Sequence, residues 1–167
     1  SKVKFIQPPR YKPCFSKDGD FCFAGRKQKV SETGWHFQKE EKLWMYNLHY
    51  FNDLKAYDSK FRLDQQTRIL LDWVDKNPPG TSVAWDPYPT SLRIVNWIKW
   101  LYAGNSLPEK CLDSLTVQVR FLFNNLEWQI LGNHIFSNAK ALVFYGLAFN
   151  DPESEKFFNQ GLNIIVE

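Results

Sequence analysis

From Glu40 onward the apolar positions recur at three- and four-residue intervals, in blocks separated by proline, glycine and asparagine, which is the helical signature. In Glu40 to Tyr57, "EEKLWMYNLHYFNDLKAY", residues Leu43, Tyr46, Tyr50, Leu54 and Tyr57 fall on one stripe. Phe61 to Asp75 continues with Leu63, Thr67, Leu70 and Val74 facing alike, and "NPPG" closes it because proline disfavours helix in the residue before it. A third helix is predicted over Ser91 to Tyr102, after "WDPYPT", with Thr90 or Ser91 as N-cap. Pro108 suits the first turn of a fourth that runs to about Leu131. Two more follow, Ile135 to Phe149 and Glu153 to Val166, the latter with Asp151 as cap and Pro152 at the first helical position.

Six helices on short links predict an all-α fold of antiparallel hairpins packed side by side, with no repeat of fixed period. The final stripe, with Phe157, Leu162 and Ile165, has no later helix to cover it. The helical part, residues 40–167, is therefore expected to be a piece of a larger architecture. Residues 1–39 read differently. "QPPRYKP" is too rich in proline for regular structure, whereas "FCFAGRKQKV" alternates around Gly25 as a hairpin or loop does.

Composition narrows the function classes. A chain of 167 residues with 44% hydrophobic residues has one domain's length and ample core material. Seven Trp, seven Tyr and fourteen Phe supply large faces for burial and for stacking on sugars. A net charge of +3 without a long basic run argues against nucleic acid and is compatible with an acidic ligand. Cys14, Cys22 and Cys111 show no CxxC spacing, so neither a disulfide framework nor a zinc site is indicated. No apolar run approaches the ~20 residues of a membrane span, and "SKVKFIQPPRYKP" lacks the apolar core of a signal peptide. GxSxG, GxxxxGK[ST], GxGxxG and HExxH are absent, three scattered histidines make no metal site, and no cofactor is expected.

Three segments could carry chemistry. In "LGNHIFSN", Gly132 lets the backbone turn, and His134 and Asn138, four apart, share a helix face. Asn133 and His134 are either capping and first-turn residues or part of a site. In "AWDPYPTSLRIVNW", Trp85, Tyr88 and Arg93 either present rings and a cation to a ligand carboxylate or cover helix ends and form an ordinary ion pair. In "LWMYNLHYF", Asn47 and His49 interrupt an aromatic helix, so they are either hydrogen-bonded in the core or open to a cleft.

Taken together, "LWMYNLHYF", "WDPYPTSLRIVNWIKW" and "LGNHIFSNAKALVFYGLAF" resemble the N-terminal helical region of heparinase II/III-type polysaccharide lyases, in the same order along the chain. The likeness runs from about Phe21 to the end, and "FCFAGR…GW" resembles the stretch before that family's first helix. It implies an incomplete (α/α) toroid and β-elimination on a uronic-acid polymer, in which a base removes the C5 proton and the 4-linked oxygen leaves. Asn133 and His134 match the family's carboxylate-neutralising pair. Arg93, Tyr88 and Trp85 match a segment expected to face the substrate, joined by His49 and Asn138. The family's catalytic tyrosine and a later histidine belong to helices for which this chain offers no match, and Tyr145 is not assigned that role. The expected partners are an acidic polysaccharide and the rest of a longer chain, in a periplasmic or secreted setting for a degradative enzyme. The competing expectation is a non-catalytic helical module that binds glycan or protein in the making of a surface polysaccharide.

Overall fold

The computed structural model describes residues 11–30, 34–37, 41–130 and 132–166. The expectations for "SKVKFIQPPR", for Glu40 and for Leu131 lie outside them. Among the described residues the fold is all-α with a short antiparallel hairpin at its amino end. The elements are β1 (Asp20–Phe23), β2 (Arg26–Lys29), α1 (Lys42–His49), α2 (Leu63–Lys76), α3 (Pro87–Tyr102), α4 (Glu109–Asn124), α5 (Asn133–Ala148) and α6 (Ser154–Val166). No described helix is long and apolar enough to cross a membrane.

The hairpin turns at Ala24 and Gly25, both at positive φ (51° and 78°), the geometry that matches the twist of two-residue hairpins. It pairs Asp20 with Lys29 and Phe23 with Arg26. Phe21 faces inward, edge-on to Trp44 of α1 at 5.1 Å. The segment before it is held by Asp53, whose Oδ1 accepts the Cys14 and Phe15 amides at 2.8 and 3.0 Å. Arg62 grips the same carboxylate with both ends of its fork, at 2.8 and 3.2 Å.

Three helix boundaries differ from the sequence reading by four residues or more. The stretch expected to run from Glu40 to Tyr57 is helical only from Lys42 to His49, because Phe51 adopts the left-handed conformation, φ 59° and ψ 37°. Its ring stacks on Trp35 at 5.8 Å and meets the edges of Trp73 and Trp97 at 6.1 and 5.5 Å. Two 3₁₀ turns, Asn52–Lys55 and Ser59–Phe61, then lead into α2. The expected stripe holds only in part: Tyr50 and Leu54 are buried, but Leu43 and Tyr57 are more than 60% exposed, and Trp44, Met45 and Leu48 are buried as well. On α2 the inward face is Gln66, Leu70 and Trp73, while Leu63 is exposed.

The third helix begins at Pro87, four residues earlier than expected, with Asp86 at the cap position and no side-chain cap bond. Prolines are compatible with a first turn, whose N–H groups have no helical partner. Thr90 and Ser91 are thus buried within the helix rather than capping it, and Ser91 Oγ donates to the Pro87 carbonyl at 2.8 Å. The fourth helix follows Pro108 but stops at Asn124, well short of Leu131. There the side-chain amides of Asn124 and Asn125 fold back and donate to the Arg120 and Phe121 carbonyls, each at 2.8 Å. Asp151 does cap the final helix: its Oδ1 accepts the Glu153 amide at 2.9 Å.

The last two helices form an antiparallel pair in close contact. A Cβ built on Gly161 would lie 2.6 Å from the Ala139 carbonyl oxygen and 2.8 Å from Val143 Cγ2. One on Gly146 would lie 2.6 Å from the Ser154 carbonyl oxygen. Helix α5 also packs on α3, so it is the middle layer of this end of the molecule. Gly161→Ala is expected to lower the unfolding free energy by about 1–3 kcal/mol in urea denaturation, because backbone cannot yield as a side chain can. The ~1 kcal/mol gain usual for Gly to Ala in an exposed helix would show that the two helices separate freely.

Candidate functional site

The break between α4 and α5 builds the site. Gly132 takes φ 90° and ψ −129°, a conformation that only glycine adopts comfortably, and occupies the cap position of α5. Asn133 is therefore the first helical residue and not the cap. It is exposed, and among the described residues its side-chain amide has no hydrogen-bond partner; only its carbonyl is engaged, by Ser137 Oγ at 2.7 Å.

His134 stands next to it, partly open. Its ring stacks on Tyr88 of α3, with centroids 4.2 Å apart and planes 22° from parallel. Its Nδ1 lies 3.0 Å from Glu127 Oε1. A carboxylate only accepts, so Nδ1 carries the proton toward Glu127 and Nε2 is left for other partners. Glu127 is itself buried and fixed from behind. Asn138, one turn along α5, accepts the Glu127 amide at 2.9 Å and donates to Glu127 Oε2 at 3.2 Å. The same Asn138 amide donates to Ser91 Oγ at 2.9 Å, which ties the loop after α4 to the first turns of α3.

Of these groups His134 and Glu127 line a cleft of about 640 Å³, together with Lys42, Tyr46 and Asp86. Tyr46 donates a short hydrogen bond to Asp86 Oδ2, and Lys42 Nζ lies 3.3 Å from the same oxygen. Burial, and then the bond to Asp86, raise the Tyr46 pKa well above that of a free phenol, so it stays protonated and serves as a donor. The cleft thus offers a carboxylate-oriented imidazole, a lysine and a phenol that both meet Asp86, and the first turn of a helix. That set suits an anionic or strongly polar group held beside a proton-exchanging ring. Among the described residues there is no group of three His, Cys, Asp or Glu placed to hold a metal ion.

Of the residues singled out from sequence, Tyr88, Asn133, His134 and Asn138 come together here. Arg93, Trp85 and His49 do not. Arg93 is fully buried, donating to Gln118 Oε1 at 2.8 Å, the Ala84 carbonyl at 2.7 Å, Thr90 Oγ1 at 3.1 Å and the His49 carbonyl at 3.4 Å. Its guanidinium lies 4.0 Å over the Trp73 ring, and burial pushes its pKa down. Both expectations for it fail, since it meets neither an open cleft nor a carboxylate.

Trp85 is 2% exposed, wedged between Trp73 and Phe121, with Nε1 donating to the Asn77 carbonyl at 3.1 Å. His49 is wholly buried and accepts from Trp73 Nε1 at 3.1 Å. Burial, with the nearby Arg93 and His36 charges, lowers its pKa and keeps it neutral. Sequence reasoning missed Glu127, Tyr46 and Asp86. The adjacent Asn124 and Asn125, poor formers of helix interiors, were the available sign that α4 stops early and frees Glu127.

Asn138→Ala is expected to lower the unfolding free energy by about 1–3 kcal/mol, since it leaves buried partners unpaired. It should also abolish hydrogen-exchange protection of the Glu127 amide; an amide still protected would show that something other than Asn138 holds the loop. Arg93→Lys is expected to cost at least about 2 kcal/mol in the same denaturation, because one ammonium cannot reach acceptors spread around a planar fork. Wild-type stability in that variant would make Arg93 dispensable to the fold. In comparisons with known protein families, with curated proteins and with solved structures, nothing matches the chain.

Proposed function

We propose that this chain supplies the carboxylate-neutralising half of a polysaccharide lyase site, acting by β-elimination on a polymer that contains uronic acid. The observation that carries the reading is the pairing at the amino end of α5. An exposed Asn133 with an uncommitted amide stands beside a His134 clamped between Glu127 and the Tyr88 ring. The resemblance of three ordered segments to heparinase II/III-type lyases, and through it an incomplete (α/α) toroid, supports the same reading.

The chemistry demands such a pair. The C5 proton of a uronate is weakly acidic because its removal places a second negative charge beside an ionised carboxylate. Donors aimed at the carboxylate lower that barrier. Asn133 would hold the carboxylate with its N–H groups, aided by the helix terminus, while His134 donates or exchanges a proton near the reacting carbon. Glu127 holds the ring in one tautomer throughout. The base, a tyrosine in the family, would come from a later part of the full-length protein.

A second reading, a helical module that binds glycan without cleaving it, is favoured by a larger hollow between α3, α5 and the 3₁₀ turns after α1, lined by Lys55, Lys60, Lys99 and Lys140. The two readings separate in one assay. The full-length protein, given a panel of uronate polymers, is expected to release unsaturated uronate absorbing in the ultraviolet. Asn133→Ala and His134→Ala are each expected to lower kcat/KM by about 10²–10³-fold at unchanged stability. No product from any polymer, or product formation indifferent to both variants, sinks the lyase reading.

A further inference from the structure

Besides His134 and Glu127, the cleft carries an aspartate that does not do what its position in the helix suggests. Asp86 stands at the cap of α3, where an aspartate ordinarily turns back to accept the amides of the helix itself. It forms no such bond, because Pro87 and Pro89 remove two of the first three helical amides. The carboxylate reaches across to α1 instead: Oδ2 accepts from the Tyr46 hydroxyl and lies 3.3 Å from Lys42 Nζ. Both bonds fall on one oxygen. Among the described residues Oδ1 has no hydrogen-bond partner, and Asp86 lines the cleft with 33% of its side chain exposed. Lys42, which also lines it, has three N–H donors and engages one of them on Asp86.

Charge at this end of the cleft decides what fits. Lys42 is offset by Asp86, and Glu127, already engaged by His134 and Asn138, adds a second carboxylate to the lining. An anion placed against Asp86 would therefore be repelled as much as attracted. What remains is one strong acceptor beside strong donors. A sugar hydroxyl both donates and accepts, and neighbouring hydroxyls of one ring match this couple, one donating to the carboxylate and the next accepting from the ammonium. Pro87, Leu126 and Ile130 also line the cleft and supply apolar surface for the C–H face of a sugar ring.

We propose that Asp86 and Lys42, with Tyr46 holding the carboxylate in place, form a hydroxyl-reading site that selects a sugar with free neighbouring hydroxyls inside this cleft. The site rests on the lyase reading only for the kind of polymer that enters the cleft, and it requires no elimination. An O-methyl or O-acyl group on those hydroxyls removes the donor and crowds Oδ1, so the site distinguishes substituted from unsubstituted stretches of a polymer.

Calorimetric titration of the full-length protein tests this with two probes of equal length: a uronic-acid oligosaccharide with free hydroxyls and the same oligosaccharide O-methylated. The free probe is expected to bind at least about tenfold more tightly. In Asp86→Asn the carboxamide must give its oxygen to Tyr46, which turns a donor toward the cleft in place of the acceptor. That variant is expected to weaken the free probe by about tenfold and to leave the methylated one as in wild type. Lys42→Met, at an exposed position where the core is not disturbed, is expected to act in the same direction. Equal binding of the two probes by the wild-type protein, an unchanged preference in either variant, or an equal loss of both probes would overturn the proposal, the last by making Asp86 a tie between helices and nothing more. Binding with the expected preference in a protein that releases no unsaturated uronate would leave this site standing and sink only the lyase reading; turnover without the preference would do the reverse.

Discussion

A cation buried without a carboxylate sets the terms for the rest of this fold. Arg93 sits where α1, the Val83–Trp85 turn, α3 and α4 meet, and every acceptor around it is neutral. Removing a guanidinium from water is tolerable only if its donors are met in fixed directions and its flat face is covered. Two backbone carbonyls, an amide oxygen and a hydroxyl meet the donors, while Trp73 covers one face. Satisfying Arg93 therefore ties the end of α1 to the turn before α3 and fixes how α4 leans on α3.

The candidate site inherits that order. Helix α3 carries Arg93 inward, Tyr88 toward the cleft and Ser91 toward α5. Ser91 and Asn138 fix Glu127, Glu127 fixes the His134 ring, and Tyr88 covers it. None of these links is strong alone, yet each removes a rotamer that a reacting group would otherwise explore. Asn133, beside His134 in the chain, is exposed, and among the described residues its side chain has no hydrogen-bond partner.

What was legible in the sequence follows from where the determining forces lie. The turn at Ala24–Gly25 and the cap at Asp151 are local chemistry, and both are found as read. The start of α3 was hidden because Pro87 and Pro89 suggest a loop, although a first turn accommodates them. The end of α1 is set by the tertiary contacts of Phe51, which no periodicity carries. At the site, helical spacing puts His134 and Asn138 on one face of α5, whereas Tyr88, expected on a loop, lies in the first turn of α3. Arg93, Trp85 and His49 looked like ligand-facing groups because their true partners are backbone carbonyls and indole rings. Glu127 was invisible because its contact with His134, seven residues on, depends on the preceding helix stopping at Asn124.

Phe51 illustrates how narrowly one position can be specified. Its backbone lies in a region that costs a side chain-bearing residue roughly 1 kcal/mol or more and that glycine or asparagine would enter more easily. Its ring is surrounded by Trp35, Trp73 and Trp97, a space that neither of those residues fills. The backbone selects for one kind of residue and the surroundings for another, so no single replacement satisfies both. A residue so doubly constrained acts as a registration mark: it lets the chain change direction at one place only.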